Sequence, residues 1–182
     1  MLNALNIRLT VAAAALALLA GCAPAIQPPA CPAAAASADE RRGNAGCLIV
    51  NNGRILVLRH QPTGKIGLPG GTPQTAERAA CTAHRETFEE TGLTVEIGPF
   101  VAQMENGFLV YACQLADTGY AEKFAVPAHA RREVREIFWA SLDDQRAHNW
   151  RFPTQLGEIR FYMESVQMPY TGCGSSRGNE TC

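Results

Sequence analysis

Three carboxylates, Glu86, Glu89 and Glu90, crowd one short stretch of chain, with Arg85 directly before them and Glu77 further upstream. The run 76–91 that carries them has no Pro or Gly inside it and is rich in Ala, Glu and Arg, and Gly92 follows where helices commonly stop. This predicts a helix over 76–91, of about four turns. Positions three and four apart share a helix face, so the three glutamates line one edge of its last two turns. Like charges so placed repel, and they also sit at the negative end of the helix dipole. A solvated acidic face is the ordinary reading of a charge run. Acids on ordinary helices favour the first turn, however, and a divalent cation reverses both penalties here. The chemistry this inventory suits is Mg²⁺ held against a diphosphate: phosphate charge is neutralised, an attacking water is acidified, and a nearby carboxylate takes its proton.

The lead-in to that helix contains Gly64, Leu68, Pro69, Gly70 and Gly71. Glycines there free the backbone to turn sharply and let a carbonyl point toward a metal. Residues 71–93, GTPQTAERAACTAHRETFEETGL, resemble the Nudix box G-x5-E-x7-R-E-U-x-E-E-x-G-U, where U is a bulky aliphatic. Gly71, Glu77, Arg85, Glu86, Glu89, Glu90, Gly92 and Leu93 all fall in register. Thr87 departs from the pattern where an aliphatic residue is usual, and Ile66 stands where a Trp is frequent; neither position is charged, so both bear on packing.

The resemblance implies a hydrolase that attacks a nucleoside diphosphate linked to another moiety, with Mg²⁺ (or Mn²⁺) as cofactor. It assigns Glu89 and Glu90 as the main metal ligands, the Gly70 carbonyl as an assisting one, and Glu86 as a further ligand or the base. Arg85, with Glu77, would brace the glutamates. In many members a base or ligand follows the box; the segment 133–139, EVREIFW, makes Glu136 the candidate and Glu133 the reserve. A surface salt bridge with Arg131, Arg132 or Arg135 explains either glutamate equally well.

The start of the chain carries a second message. Residues 1–8 hold one positive charge, 9–20 are apolar, and Leu19-Ala20-Gly21-Cys22 ends in a small-residue cleavage site. The apolar run is too short for a comfortable permanent span, so 1–21 read as a signal peptide. Its end resembles a bacterial lipobox, which implies that Cys22 is lipidated and holds the protein to a membrane. Cleavage near Ala23 or Ala25, giving a soluble secreted protein, is the alternative. Ala23 rather than Asp after the Cys points, by resemblance to sorting patterns, to the periplasmic face of an outer membrane. Residues 22–44, rich in Ala and Pro, are expected to form a disordered tether reaching roughly 60 Å if extended. A helix over Ala33–Ala38 is the other reading, and would change only the tether's stiffness.

These carboxylates need a scaffold, and residues 45–169 have the length of one domain with its own core. Strands are expected at 46–50 and 54–60 around Asn51-Asn52-Gly53, at 94–103 and 108–115, and at 135–140. A last amphipathic helix is expected over 154–166, with Leu156, Ile159, Tyr162, Met163 and Val166 inward. This order is α+β with a mixed sheet, and the resemblance sharpens it to an α/β/α sandwich. With 16 basic and 17 acidic residues the chain offers no basic surface for a nucleic acid polymer.

Of the seven cysteines, six remain once Cys22 is set aside. An exported chain can oxidise them, in any of fifteen pairings. Cys173 with Cys182, in the tail 170–182, closes most easily; Cys81 could meet a strand cysteine such as Cys113, or both could stay buried thiols. His60, His84, His129 and His148 lack ligand spacing and read as structural or surface residues. Trp139 is assigned to the core. Trp150, Phe152 and Tyr162 could stack on a base but more ordinarily pack. Substrate choice falls to the loops 98–107 and 117–132, which carry no readable code. Export favours a dinucleotide, a sugar nucleotide or a lipid-linked diphosphate as substrate. A noncatalytic envelope lipoprotein that kept the fold for binding is the alternative class.

Overall fold

The structure, a computed structural model, describes residues 27–116 and 121–165. In chain order its elements are α1 (Ala33–Ala38), β1 (Ala45–Asn51), β2 (Arg54–His60), β3 (Ile66–Gly67), β4 (Gly70–Gly71), α2 (Ala79–Thr91), β5 (Val95–Gln103), β6 (Leu109–Leu115), β7 (Lys123–Phe124), β8 (Val134–Ser141) and α3 (Thr154–Ser165).

The β1–β2 hairpin follows from its turn. Asn52 and Gly53 both take positive φ, 49° and 73°, which suits the right-handed twist of an antiparallel pair, and Asn51 faces Arg54 across it. Alternation along the two strands then sorts their side chains. Ala45, Cys47, Ile49, Leu56 and Leu58 face one side, and Leu48, Val50, Ile55 and Val57 the other. Both faces are apolar, so each needs a cover. The first is closed by α2 through Ala79, Ala80 and Ala83, the second by α3 through Leu156 and Ile159 together with Trp150.

The strands run β5-β6-β1-β2-β8-β7, with β3 on β2 and β4 on β1. Among the ladders of the described residues β1–β6 is parallel and the others are antiparallel. The result is the expected α+β architecture, a mixed sheet between helices. Strands β3, β4 and β7 have two residues each, too short for any periodicity to announce them.

Two expectations change. The box helix starts at Ala79 rather than at 76, because the preceding turn is held otherwise: Ala76 takes φ 62°, and the Glu77 carboxylate accepts the Gln74 N–H at 2.8 Å and the Thr82 hydroxyl at 3.1 Å. The segment 22–44 was expected to hang free, yet within 27–44 it lies on the domain. Ala35 is buried, Cys31 is bonded to Cys81, and Tyr111 donates its hydroxyl to Asp39 at 2.5 Å. The alanine helix α1 therefore does more than stiffen a tether.

Cys47 and Cys113 join neighbouring strands β1 and β6, so Cys81 pairs with Cys31 and not with Cys113. The leader 1–21, Cys22, the tail 170–182 and the Cys173 and Cys182 pair lie outside the described residues. Among the described residues no helix is long and apolar enough to cross a membrane.

Candidate active site

Arg85 organises the site from within α2. Its Nε and one Nη2 hydrogen go to the two carboxylate oxygens of Glu77, both at 2.9 Å. Nη2 also donates to the Thr72 carbonyl at 2.9 Å, and Nη1 to Glu86 at 2.9 Å and Glu89 at 2.7 Å. A guanidinium has five N–H donors, and these bonds occupy all of them. The Arg85 side chain is only 11% exposed and that of Glu77 13%. Glu77 first, and then Glu86, hold the guanidinium still more firmly protonated than an ordinary arginine, against the opposing effect of burial.

Two glycines let the carboxylates approach the sheet. A Cβ on Gly71 would lie 2.6 Å from the Glu86 carboxylate, so any larger residue there would push that carboxylate aside. Gly70 has φ 149°, and its Cβ would meet the Ala45 carbonyl at 2.4 Å. From that position the Gly70 N–H donates to Glu90 Oε2 at 2.7 Å. Burial is the main reason the Glu90 carboxyl is pushed up to about 8; the charges of Glu86 and Glu133 add to the rise, and the Gly70 amide and Arg151 oppose it. Burial also raises Glu86, with Arg85 pulling the other way. For Glu77 burial again pushes up, but the Arg85 and Gln74 hydrogen bonds outweigh it and hold its carboxyl below the usual range.

Glu86, Glu89 and Glu90 open on one cleft of about 260 Å³, shared with His129, Ala130 and Glu133. Glu133 is carried there by the turn before β8, whose backbone is tied to the end of β2 by the Gln61 N–H on the Glu133 carbonyl at 2.7 Å. Glu136 is elsewhere. It lies opposite Arg59 on β2, takes an Arg59 Nε–H at 2.9 Å, and lines a separate surface hollow with Arg59, Gly64 and Arg135. The structure thus places Glu133, the reserve, in the cleft and Glu136 outside it. The His129 Nε2 stands 2.6 Å from the Glu89 carbonyl, one of the unpaired acceptors at the end of α2, so this histidine is more than a surface residue. No sequence signal marks it, since a lone histidine in a loop has no ligand spacing.

As the side chains stand, no three His, Cys, Asp or Glu residues among those described converge tightly enough to hold an ion, Arg85 having drawn Glu86 and Glu89 toward itself. The donor set nonetheless suits a hard divalent cation. It consists of carboxylate oxygens, one of them on a buried carboxyl held near neutrality by its surroundings.

The family model for the NUDIX domain matches residues 40–156. The chain belongs to the Nudix family. This Nudix chain is also 34% identical over 103 residues to a MutT-like protein of Streptomyces ambofaciens, an alignment covering 55% of the chain and 63% of that relative, so under two thirds of the relative's length is spanned. Its fold is similar to that of a NUDIX hydrolase from Nitrosomonas europaea, at TM-score 0.55 and 19% identity over 69% of this chain and 90% of that one. An ADP-ribose pyrophosphatase from Streptococcus suis gives TM-score 0.57 at 18% identity, covering 70% of this chain and 92% of that one. At such identities the likeness is one of fold.

Proposed function

We propose that this Nudix protein hydrolyses a diphosphate linkage in a small nucleoside diphosphate-type molecule, with Mg²⁺ or Mn²⁺, on the outer side of a membrane to which Cys22 anchors it. The observation that carries the reading is the commitment of all five Arg85 donors to Glu77, Glu86, Glu89 and Thr72, at the edge of a cleft that Glu90 and Glu133 complete. A binding module has no need to hold so many carboxylates together against their mutual repulsion.

Glu89 and Glu90 would hold the cation, with Glu86 completing the set. When bound, the cation supplies neutralisation of diphosphate charge and acidifies the attacking water. Arg85 keeps Glu86 and Glu89 at the cleft wall, and the Gly70 amide keeps Glu90 there. Glu133, which lines the same cleft, would take the proton from water as the phosphorus–oxygen bond breaks. The near-neutral chain offers no basic track for a polymer.

Export is supported by two disulfides, Cys31–Cys81 and Cys47–Cys113, of the kind that persist outside a reducing cytosol. Anchoring rests on the lipobox-like Leu19-Ala20-Gly21-Cys22, and the periplasmic face of an outer membrane is the location that fits it.

The test is hydrolysis by the purified oxidised protein with Mg²⁺ or Mn²⁺, across ADP-ribose, NAD, sugar nucleotides, dinucleoside polyphosphates, nucleoside triphosphates and isoprenoid diphosphates. Turnover of a nucleoside diphosphate class that stops on chelation is expected; turnover confined to isoprenoid diphosphates, or none at all, would overturn it. Fatty-acid label should mark the wild type and not Cys22→Ser, and label on both would contradict the anchor.

A further inference from the structure

The front of the catalytic helix is held by residues from far upstream. Cys31 is bonded to Cys81, in the first turn of α2. The Arg41 carbonyl accepts the N–H of Ala79, the first residue of that helix, at 2.8 Å. Glu40 pairs with Arg78 at 2.7 Å, and the Arg42 guanidinium donates to the carbonyl of Ala76. Four links therefore fall on the six positions 76–81. The upstream segment is itself fastened to the sheet: the Arg41 guanidinium lies 3.8 Å over the Phe100 ring, and Asp39 accepts from both Arg41 and Tyr111.

These links matter because of what the turn carries. Ala76 adopts φ 62°, a conformation disfavoured for any residue with a Cβ, so the turn needs outside support. Glu77 follows directly, and it takes two of the five Arg85 hydrogen bonds. A displaced 76–79 turn would move Glu77, release Arg85, and let Glu86 and Glu89 drift. Exposed polar links of this kind each contribute little stability. Their value lies in geometry, since four independent links leave a short turn few alternatives.

We infer that residues 39–42, stapled through Cys31 to Cys81, form a positioning strap for the hydrolase, fixing the 76–79 turn from which Glu77 holds Arg85 and, through Arg85, the carboxylates Glu86 and Glu89. The inference rests on the metal-dependent reading above and adds residues that touch neither metal nor substrate. It also means that a protein trimmed to start at Ala45 lacks part of its active-site support.

The experiment uses the full chain in four variants: Arg42→Gln, Arg42→Lys, the double change Cys31→Ser with Cys81→Ser, and Glu89→Gln. Three quantities are read: amide hydrogen exchange over 76–81, Mn²⁺ affinity by electron paramagnetic resonance, and KM at saturating Mn²⁺. Arg42→Gln and the cysteine variant should speed exchange over 76–81 and weaken Mn²⁺ binding about tenfold, with KM unchanged at saturating metal. Arg42→Lys, which keeps a donor for the Ala76 carbonyl, should recover most of the affinity. Arg42 is exposed, so its replacement tests the strap even where loss of the disulfide impairs folding. Wild-type exchange and wild-type Mn²⁺ affinity in Arg42→Gln and the cysteine variant, alongside lost binding in Glu89→Gln, would overturn the strap alone. Wild-type Mn²⁺ affinity in Glu89→Gln would instead overturn the metal reading, and the strap's functional role with it.

Discussion

Both carboxylate oxygens of Glu77 accept hydrogen bonds from Arg85, at 2.9 Å each, across a turn that separates Glu77 from the helix carrying its partner. Bidentate pairs of this kind fix orientation as well as distance. Glu77 is therefore a brace outside the helix, and two of the three glutamates of the last turns, Glu86 and Glu89, depend on it through one guanidinium.

Removing that brace should be costly. Glu77→Ala leaves a largely buried guanidinium without its best partner and is expected to destabilise the fold by about 3 kcal/mol. Urea unfolding of the two proteins measures this. A loss below about 0.5 kcal/mol, typical of a neutral surface change, would contradict the bracing role.

The same pair predicts an acid dependence. The Glu77 carboxyl titrates below its ordinary 4.5 in the folded protein, so the unfolded chain binds more protons in acid. Its contribution is complete above the unfolded value and is lost as pH falls through the folded one. The thermal midpoint of the wild type should therefore fall more steeply than that of Glu77→Gln as pH drops below the ordinary 4.5. Parallel curves would show that Glu77 has no such partner in solution.

The two candidate bases separate cleanly. Glu133 shares the carboxylate cleft, whereas Glu136 is engaged with Arg59 and about half exposed. Glu133→Gln is expected to lower kcat about a hundredfold with KM little changed. Glu136→Gln should leave both kcat and stability close to wild type. Steady-state kinetics on the pair decides, and the opposite ranking would return the role to Glu136.

Much of this was legible in the chain, for identifiable reasons. Asn51-Asn52-Gly53 announced its hairpin because few residues tolerate two successive positive φ angles. Glu86, Glu89 and Glu90 announced their shared edge because helical spacing leaves no other arrangement. The start of α2 is not legible, because Ala, Glu and Arg favour helix from 76 while the Glu77 side chain instead closes the turn ahead of it. Spacing cannot separate Glu136 from Glu133, because it does not show which way a strand residue faces; the cross-strand partner Arg59 shows it for Glu136. The docking of residues 27–44 left no periodic signal, since it rests on one disulfide, one small helix and a few side-chain bonds to distant partners.

Glu90 should display a conflict between function and stability. It is 7% exposed and its carboxyl is pushed up to about 8, so ionising it in the metal-free fold is unfavourable. Glu90→Gln keeps an oxygen for the Gly70 amide while removing the charge. The variant should melt at a higher temperature than the metal-free wild type above about pH 8 while losing Mn²⁺ affinity. A lower melting temperature with affinity intact would contradict both halves.

The most direct test of the central claim is kcat of Glu89→Gln against wild type at saturating Mg²⁺, with the melting temperature of each measured alongside. Glu89 is the most exposed of the Arg85-bound carboxylates, at 35%, so its amide replacement should fold normally. The account predicts a fall in kcat of about a hundredfold or more at an essentially unchanged melting temperature. Unchanged turnover in a normally folded variant would contradict the assignment of Glu89 to the metal, and with it the proposed chemistry of the cleft.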